Sequence, residues 1–259
     1  MSARATLCIL LACLLLAGGL WQPHDPHGID LLARHAPPSF LHPLGTDHLG
    51  RDMLSRMMVA GWRSGLVVIV VGAIGFIGGT LIGTVAALMG GWREAAIVKA
   101  AETFIVVPTL IVALAVAAIL GLSPLTAGIA LGLAGLGPYT LLSNSLTRRM
   151  MGQPFVLSAR AMGAGTASLT LRHILPNTMP VLFAYVGSQA GQAIVAYDAL
   201  AFIGLGADPT RPDWGAMLFE YRMFVFDHPM LMLWPGVAIA VTAGLLNWSF
   251  DPEKQPVMT

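Results

Sequence analysis

Charge is the scarcest resource in this chain. Only 10% of its 259 residues are Asp, Glu, Lys or Arg, where a soluble domain carries about a quarter. So little charge cannot cover a water-facing surface, which excludes an ordinary soluble fold and turns most of the surface toward lipid. No excess of one sign is present either: the formal net charge of +1 gives no electrostatic case for nucleic acid. There are two cysteines, Cys8 and Cys13. They lie five apart in an apolar run and share no helix face, so they read as packing or lipid-facing residues and not as a disulfide, metal or redox pair. The pattern GxxxxGK[ST] is missing, and with it a phosphate-cradling nucleotide site. The longest polar stretch, 23–63, spans about 40 residues, too few for a soluble catalytic domain. The apolar stretches hold no HExxH, no paired carboxylates and no Ser–His set, which excludes a membrane enzyme.

What is present is grease and glycine: 56% hydrophobic residues and 29 glycines, with a mean hydropathy of +0.75. Uncharged runs cover 5–22, 64–92, 103–147, 174–197 and 229–250. A spanning helix needs about 20 apolar residues, so the run 103–147 is too long for one span, and the turn residues of "GLSPL" at 121–125 divide it. An all-α membrane protein with six transmembrane helices is predicted, at about 5–22, 64–90, 97–120, 124–147, 175–204 and 229–249. The corresponding division is a first helix at 1–22, a periplasmic loop at 23–63, a five-helix core at 64–249 and a short tail at 250–259. Arg4, the apolar stretch and Ala17-Gly18-Gly19 also fit a cleaved signal peptide, which would leave the other spans unchanged. With both termini cytoplasmic, the inner side holds eight Lys/Arg and the outer side six, a weak positive-inside bias. Its dense part is Arg148, Arg149, Arg160 and Arg172.

That cluster frames "FVLSARAMGAGTASLTLRHILPN" at 155–177. Residues 155–171 contain no proline and are rich in alanine, so a helix is expected there. Gly163 and Gly165 permit a bend or a close contact. Arg172 and His173 suit a helix C-terminus, and Pro176 opens the next span. By pattern this is an interfacial helix or a helix that docks on a partner. "SARAMGA" at 158–164 and "RHILPN" at 172–177 resemble the cytoplasmic "EAA" loop of ABC importer permeases, which inserts a coupling helix into an ATPase subunit. The resemblance implies a type I importer permease fold and a coupling role for Leu157, Ser158, Ala159, Arg160, Gly163, Ala164, Arg172 and Pro176. The glutamate that names the loop falls at Leu157, and the alanine after it at Ser158; Gly163 holds the central glycine.

Two further stretches extend the similarity. "HPLGTDHLGRDMLSR" at 42–56 looks like the segment before the second span in permeases of the dipeptide/oligopeptide/nickel group, and "AFIGLGADPTRPDWGAML" at 201–218 looks like that group's segment after the fifth span. Physically, Gly45 and Gly50 allow tight turns around Thr46, while Asp47, Arg51, Asp52 and Arg56 can pair with one another, as buried charges must. A structural ion-pair knot is favoured over a substrate site. The abbreviated ending "LLNWSFDPEKQ" departs from the group's pattern.

Asp198, beside Tyr197, is an acid inside a span, where charge is costly and often functional. It either caps or pairs locally or, with Tyr197, lines a translocation path. Lys99 lies three residues before Glu102 and can share its helix face. Five of the seven histidines fall within 24–48; His42 and His48 are candidate metal contacts, although the spacing is irregular. The resemblance implies no cofactor in this chain, with ATP bound by two partner ATPase subunits, a second and related permease chain, an extracytoplasmic solute-binding protein, and residence in a bacterial inner membrane. It favours nickel or a metal chelate as cargo, with dipeptides or oligopeptides as the alternative. An ion-coupled secondary transporter is the competing class, but it calls for inverted repeats and several embedded acids.

Overall fold

The computed structural model describes residues 6, 13, 15–204 and 211–250. Most of the first expected span, the tail from 251 onward, Cys8 and Gly206 lie outside the described residues. Residues 15–20 are helical, and Cys13 is exposed and free. The segment from 21 to 52 is irregular apart from one 3-10 turn, Leu31–Ala33, and an isolated bridge between Thr46 and Asp52. Among the described residues eight α-helices follow: α1 Met53–Met89, α2 Gly91–Val106, α3 Thr109–Leu120, α4 Pro124–Met151, α5 Pro154–Ala161, α6 Thr166–Leu169, α7 Leu175–Phe202 and α8 Trp214–Tyr221. A ninth, α9, covers Met230–Phe250.

Among the described residues, three helices are long and apolar enough to cross a membrane: α1, α4 and α9. The pair α2 and α3 becomes a fourth if it is one broken span. Helix α7 has the length but carries Asn177, Ser188, Gln189, Gln192 and Asp198 along its course.

The boundaries follow local chemistry. Helix α1 starts eleven residues before its apolar run, so residues 53–63, expected in a loop, are helical. The cause is Asp52, whose carboxylate accepts the Ser55 N–H at 2.8 Å and caps the first turn. The expected single span 97–120 is broken: α2 and α3 meet at 76°. Pro108 has no N–H to donate and forces Val107 into an extended conformation (φ −78, ψ 121). Ser123 caps α4 in a reciprocal pair with Thr126, so helix α4 begins within the predicted turn. The expected helix 155–171 is also interrupted. Helix α5 stops at Ala161, and Gly163 (φ +88) turns the chain before α6.

Helices α1 and α4 pack against each other along much of their length. Gly75, Gly79 and Gly83 lie four apart on one face of α1. A side chain at Gly79 would strike Tyr139, and one at Gly83 would strike the Thr140 carbonyl. With no side chains in the way, Ser143 of α4 donates to the Thr80 carbonyl at 2.9 Å and pairs with Thr84 at 2.9 Å. Small residues and hydroxyl bonds of this kind hold helices together where lipid removes the hydrophobic drive. Around this pair, Val67, Val71, Ala130, Leu131, Ala193, Tyr197 and Leu200 form one core cluster. A second gathers Met53, Ala60, Ile194, Trp214, Met217 and Tyr221 beneath α8. The outer faces stay apolar and exposed, for example Ile69, Ile77, Leu110, Ile111, Phe183 and Val237.

Candidate functional site

The start of α1 and the end of α8 meet in a buried charge knot. Asp47 and Arg56 are 0% and 1% exposed. Oδ1 of Asp47 accepts the backbone N–H of Leu49 at 2.8 Å and of Arg51 at 3.0 Å. Its Oδ2 accepts Arg51 Nε at 2.6 Å and the Tyr221 hydroxyl at 3.0 Å. That hydroxyl in turn accepts Arg56 Nε at 3.0 Å. Arg51 and Arg56 both reach Glu220, the latter at 2.8 Å. Burial alone would raise the Asp47 carboxyl, but the two guanidiniums and two backbone N–H groups overcome it and hold the group below the usual carboxylate range. Burial would likewise lower Arg51, yet Asp47 and Glu220 keep it above its ordinary value. Gly45 and Gly50 both adopt φ +76, and Thr46 donates its hydroxyl to the Ala33 carbonyl. These turns bring Asp47 and Arg51 inward.

Asp52, which the sequence pairs with arginine, has different partners. His42 Nδ1 lies 2.8 Å from its Oδ1 and His24 Nδ1 lies 3.8 Å from its Oδ2. His48 instead stacks on Phe224 and lies 3.7 Å from Glu220, and burial holds its imidazole below the ordinary value.

Tyr197 and Asp198 are both buried and fasten α7 to α8. The Tyr197 hydroxyl donates to Asp213 Oδ1 at 2.6 Å. Arg63 grips the same carboxylate at 2.7 and 3.1 Å. Asp198 accepts the Gly215 N–H at 2.9 Å, and the α8 backbone packs so tightly there that a side chain at Gly215 would collide with the Asp198 carbonyl.

Neither residue lines the cavity of about 550 Å³ between α3, α4, α7 and α9. Its polar groups are Thr109, Ser188, Gln189, Gln192 and Asn247; the remaining lining is apolar or glycine, with no ionisable, Cys or Met side chain among the described residues. Sequence reading missed these amides because Gln and Asn carry no charge and follow no motif. It also missed Asp213, Glu220 and Tyr221. Asp47, Arg51, Asp52 and Arg56 balance one another in the sequence, so no local signal pointed to these three partners.

Far along the chain from the knot, α5 and α6 form a knuckle. Val156, Ala159 and Leu169 make its small core. Ser158 donates to the Pro154 carbonyl at 2.9 Å, and the Ala164 N–H bonds the Ala159 carbonyl at 3.1 Å. Leu157, Arg160, Gly163, Arg172 and Pro176 are exposed, and Met162 at the tip is 82% exposed. Of the expected docking set, Ala159 alone is buried, and it holds the knuckle together from within. The space around Gly163 is open, so its glycine serves the backbone turn and not a close packing contact within this chain. Where α2 meets α4, Glu94 is buried and accepts Asn144 Nδ2 at 2.9 Å, with Arg148 at 3.3 Å. Lys99 meets Glu102 at 3.0 Å.

Comparison with known proteins gives a consistent match. The family described as binding-protein-dependent transport system inner membrane component matches residues 79–251, more than half of the chain. A probable D,D-dipeptide transport system permease of Escherichia coli (strain K12) is 34% identical over 244 residues, which cover 94% of this chain and 82% of that protein. A nickel transport system permease of the same organism is 32% identical over 248 residues, covering 95% and 90%. A putative peptide permease of Brucella suis is 33% identical over 252 residues, covering 91% and 81%.

Proposed function

This chain belongs to the family of inner membrane components of binding-protein-dependent transport systems, the permeases of ABC importers in the dipeptide and nickel group, and from that premise we propose how it works. It crosses the inner membrane six times with both termini in the cytoplasm. It pairs with a related, nonidentical permease chain to enclose the conduit, and two ATPase subunits bind the ATP. An extracytoplasmic binding protein delivers cargo at the end that carries the charge knot. The α5–α6 knuckle enters a cleft on an ATPase subunit, and closure of the ATPases moves it to alternate access. Its exposed apolar tip, flanked by Arg160 and Arg172, supports the docking reading. In place of the family's acidic contact stands Leu157, so the interface here relies on apolar burial.

One observation carries the cargo reading: the cavity lining of α3, α4, α7 and α9 offers amides and hydroxyls but no charged or soft metal-binding side chain. A bare dication would find no compensation there. A peptide, or a metal wrapped in an organic chelator, presents hydrogen-bonding groups that these side chains can meet. Of the cargoes the resemblance allows, peptides and chelates are therefore favoured over free nickel. The test is uptake by cells expressing the transporter, using labelled dipeptide, labelled Ni2+ and a labelled Ni2+ chelate in parallel. Dipeptide or chelate should accumulate in an ATP-dependent manner, with free Ni2+ at background. Accumulation of free Ni2+ alone would overturn this cargo.

The orientation has its own test. In a background without Cys8 and Cys13, a cysteine replacing exposed Ser39 should react with an impermeant maleimide on intact spheroplasts. One replacing exposed Ala167 should react only after permeabilisation. Labelling of both from the same side would refute the arrangement.

A further inference from the structure

Outside the apolar spans, three side chains from separate stretches converge on one point. His24 follows the helical residues 15–20, His42 sits in the turn before Gly45, and Asp52 caps α1. Backbone bonds fix the approach: the His24 N–H donates to Ser55 Oγ at 3.0 Å, and the His42 N–H to Ser39 Oγ at 3.0 Å. Both imidazoles aim Nδ1 at the same carboxylate, and the three donor atoms lie within 4.8 Å of one another. The two rings are 4.8 Å apart, centre to centre.

A plain hydrogen-bond account covers only part of this arrangement. His42 at 2.8 Å is bonded to Asp52. His24 Nδ1 at 3.8 Å is too far to be, and that nitrogen is buried without any hydrogen-bond partner. Two imidazole nitrogens and a carboxylate oxygen are the donor set of borderline divalent metals such as zinc, nickel and copper. Bonds of about 2.0–2.2 Å to a shared tetrahedral ion set its donors about 3.3–3.6 Å apart, so His42 Nδ1 draws back slightly from 2.8 Å and His24 Nδ1 moves in from 3.8 Å. The Ser55 hydroxyl, 2.7 Å from Asp52 Oδ2, orients the carboxylate from behind, as outer partners of metal ligands do. Access is one-sided: the His24 and His42 side chains are 33% and 19% exposed, and Asp52 only 1%.

The neighbouring set Asp47, His48 and Glu220 is equally close but lacks this property. Arg51 and Arg56 already occupy its carboxylates, and their two positive charges repel a cation. Among the described residues no Arg or Lys forms an ion pair with Asp52.

We propose that His24, His42 and Asp52 bind one divalent transition-metal ion, which ties the exit of the first helix and the 36–46 turn to the start of α1. The ion is a resident tie and not cargo, so its binding is read without transport. The purified full-length chain in detergent, dialysed against micromolar ZnCl2, should retain one Zn2+ per chain, and its unfolding midpoint should rise and fall back on adding EDTA. The double substitution His24→Gln, His42→Gln should weaken binding by about tenfold or more, while His27→Gln at an exposed position should not. On the wild-type protein, bound Zn2+ should shield His24 and His42 from carbethoxylation, read by peptide mass spectrometry, so the outcome does not depend on a variant folding. Substoichiometric binding, unshielded histidines, or full affinity in the double variant would each overturn the proposal.

Discussion

An Arg56→Met variant should reach the membrane at a small fraction of the wild-type level and support no uptake. Arg56 is buried and satisfies Glu220, the Tyr221 hydroxyl and, at 3.7 Å, Asp47. Methionine fills much of its volume and deletes its charge, leaving Asp47 in the interior with Arg51 as its one cation. Breaking a buried pair from one side costs about 3–5 kcal/mol, more than a hundredfold in the ratio of folded to unfolded protein. Adding Asp47→Asn to Arg56→Met should restore part of the abundance, because removing both charges avoids the orphan while the amide oxygen still accepts the two backbone N–H groups. The same knot sets a pH dependence. The Asp47 carboxyl is held below its ordinary value, so its stabilising contribution is complete above pH about 4 and is lost as the pH falls through the lowered value. Immunoblots of membranes and thermal unfolding in detergent read the result. Wild-type abundance and midpoint in Arg56→Met would show that the knot contributes nothing.

Met162→Asp should do the reverse, leaving abundance unchanged and abolishing transport. At 82% exposure the Met162 side chain contributes little to the packing of this chain, so its loss costs the free permease within about 0.5 kcal/mol. If the knuckle enters an apolar cleft, the carboxylate is desolvated there without a partner. Such a charge costs about 2–5 kcal/mol at an interface, about thirtyfold or more in affinity for the ATPase. Uptake should fall to background, and co-purification of the ATPase with the permease should be lost. A Gly163→Trp variant is a poorer probe, because φ +88 strains any side chain there and mixes a backbone defect with a docking defect. Normal uptake by Met162→Asp at normal abundance would remove the knuckle tip from the interface.

The class of the protein was legible in its sequence because the bilayer imposes one-dimensional rules. A lack of charge, runs long enough to cross hydrocarbon and proline–glycine punctuation are all local properties. The caps were not legible in this way: Asp52 and Ser123 start helices with their side chains, but Asp52 stood inside an expected loop as one of four charges. Three spaced motifs sufficed for the family. Local rules fail where two readings compete for the same residues. Pro108 marks a break in an apolar run, but the size of its 76° bend is set by how α2 and α3 each pack against α4. Gly163 reads equally as a helix residue or a turn until its backbone angle is known.

Tertiary structure alone decided the partners. The sequence offers Asp47, Arg51, Asp52 and Arg56 as a closed set. The fold instead sends Asp52 to two histidines and brings in Glu220 and Tyr221 from more than 160 positions away. It also turns Asp198 under α8 to bond Gly215, while the cavity is lined by amides that no motif marks. The physical reason is range. A hydrophobic run or a cap acts over a few neighbouring residues, but a buried charge must be matched by whatever group the packing delivers to it. That choice is made among helices and not along the chain.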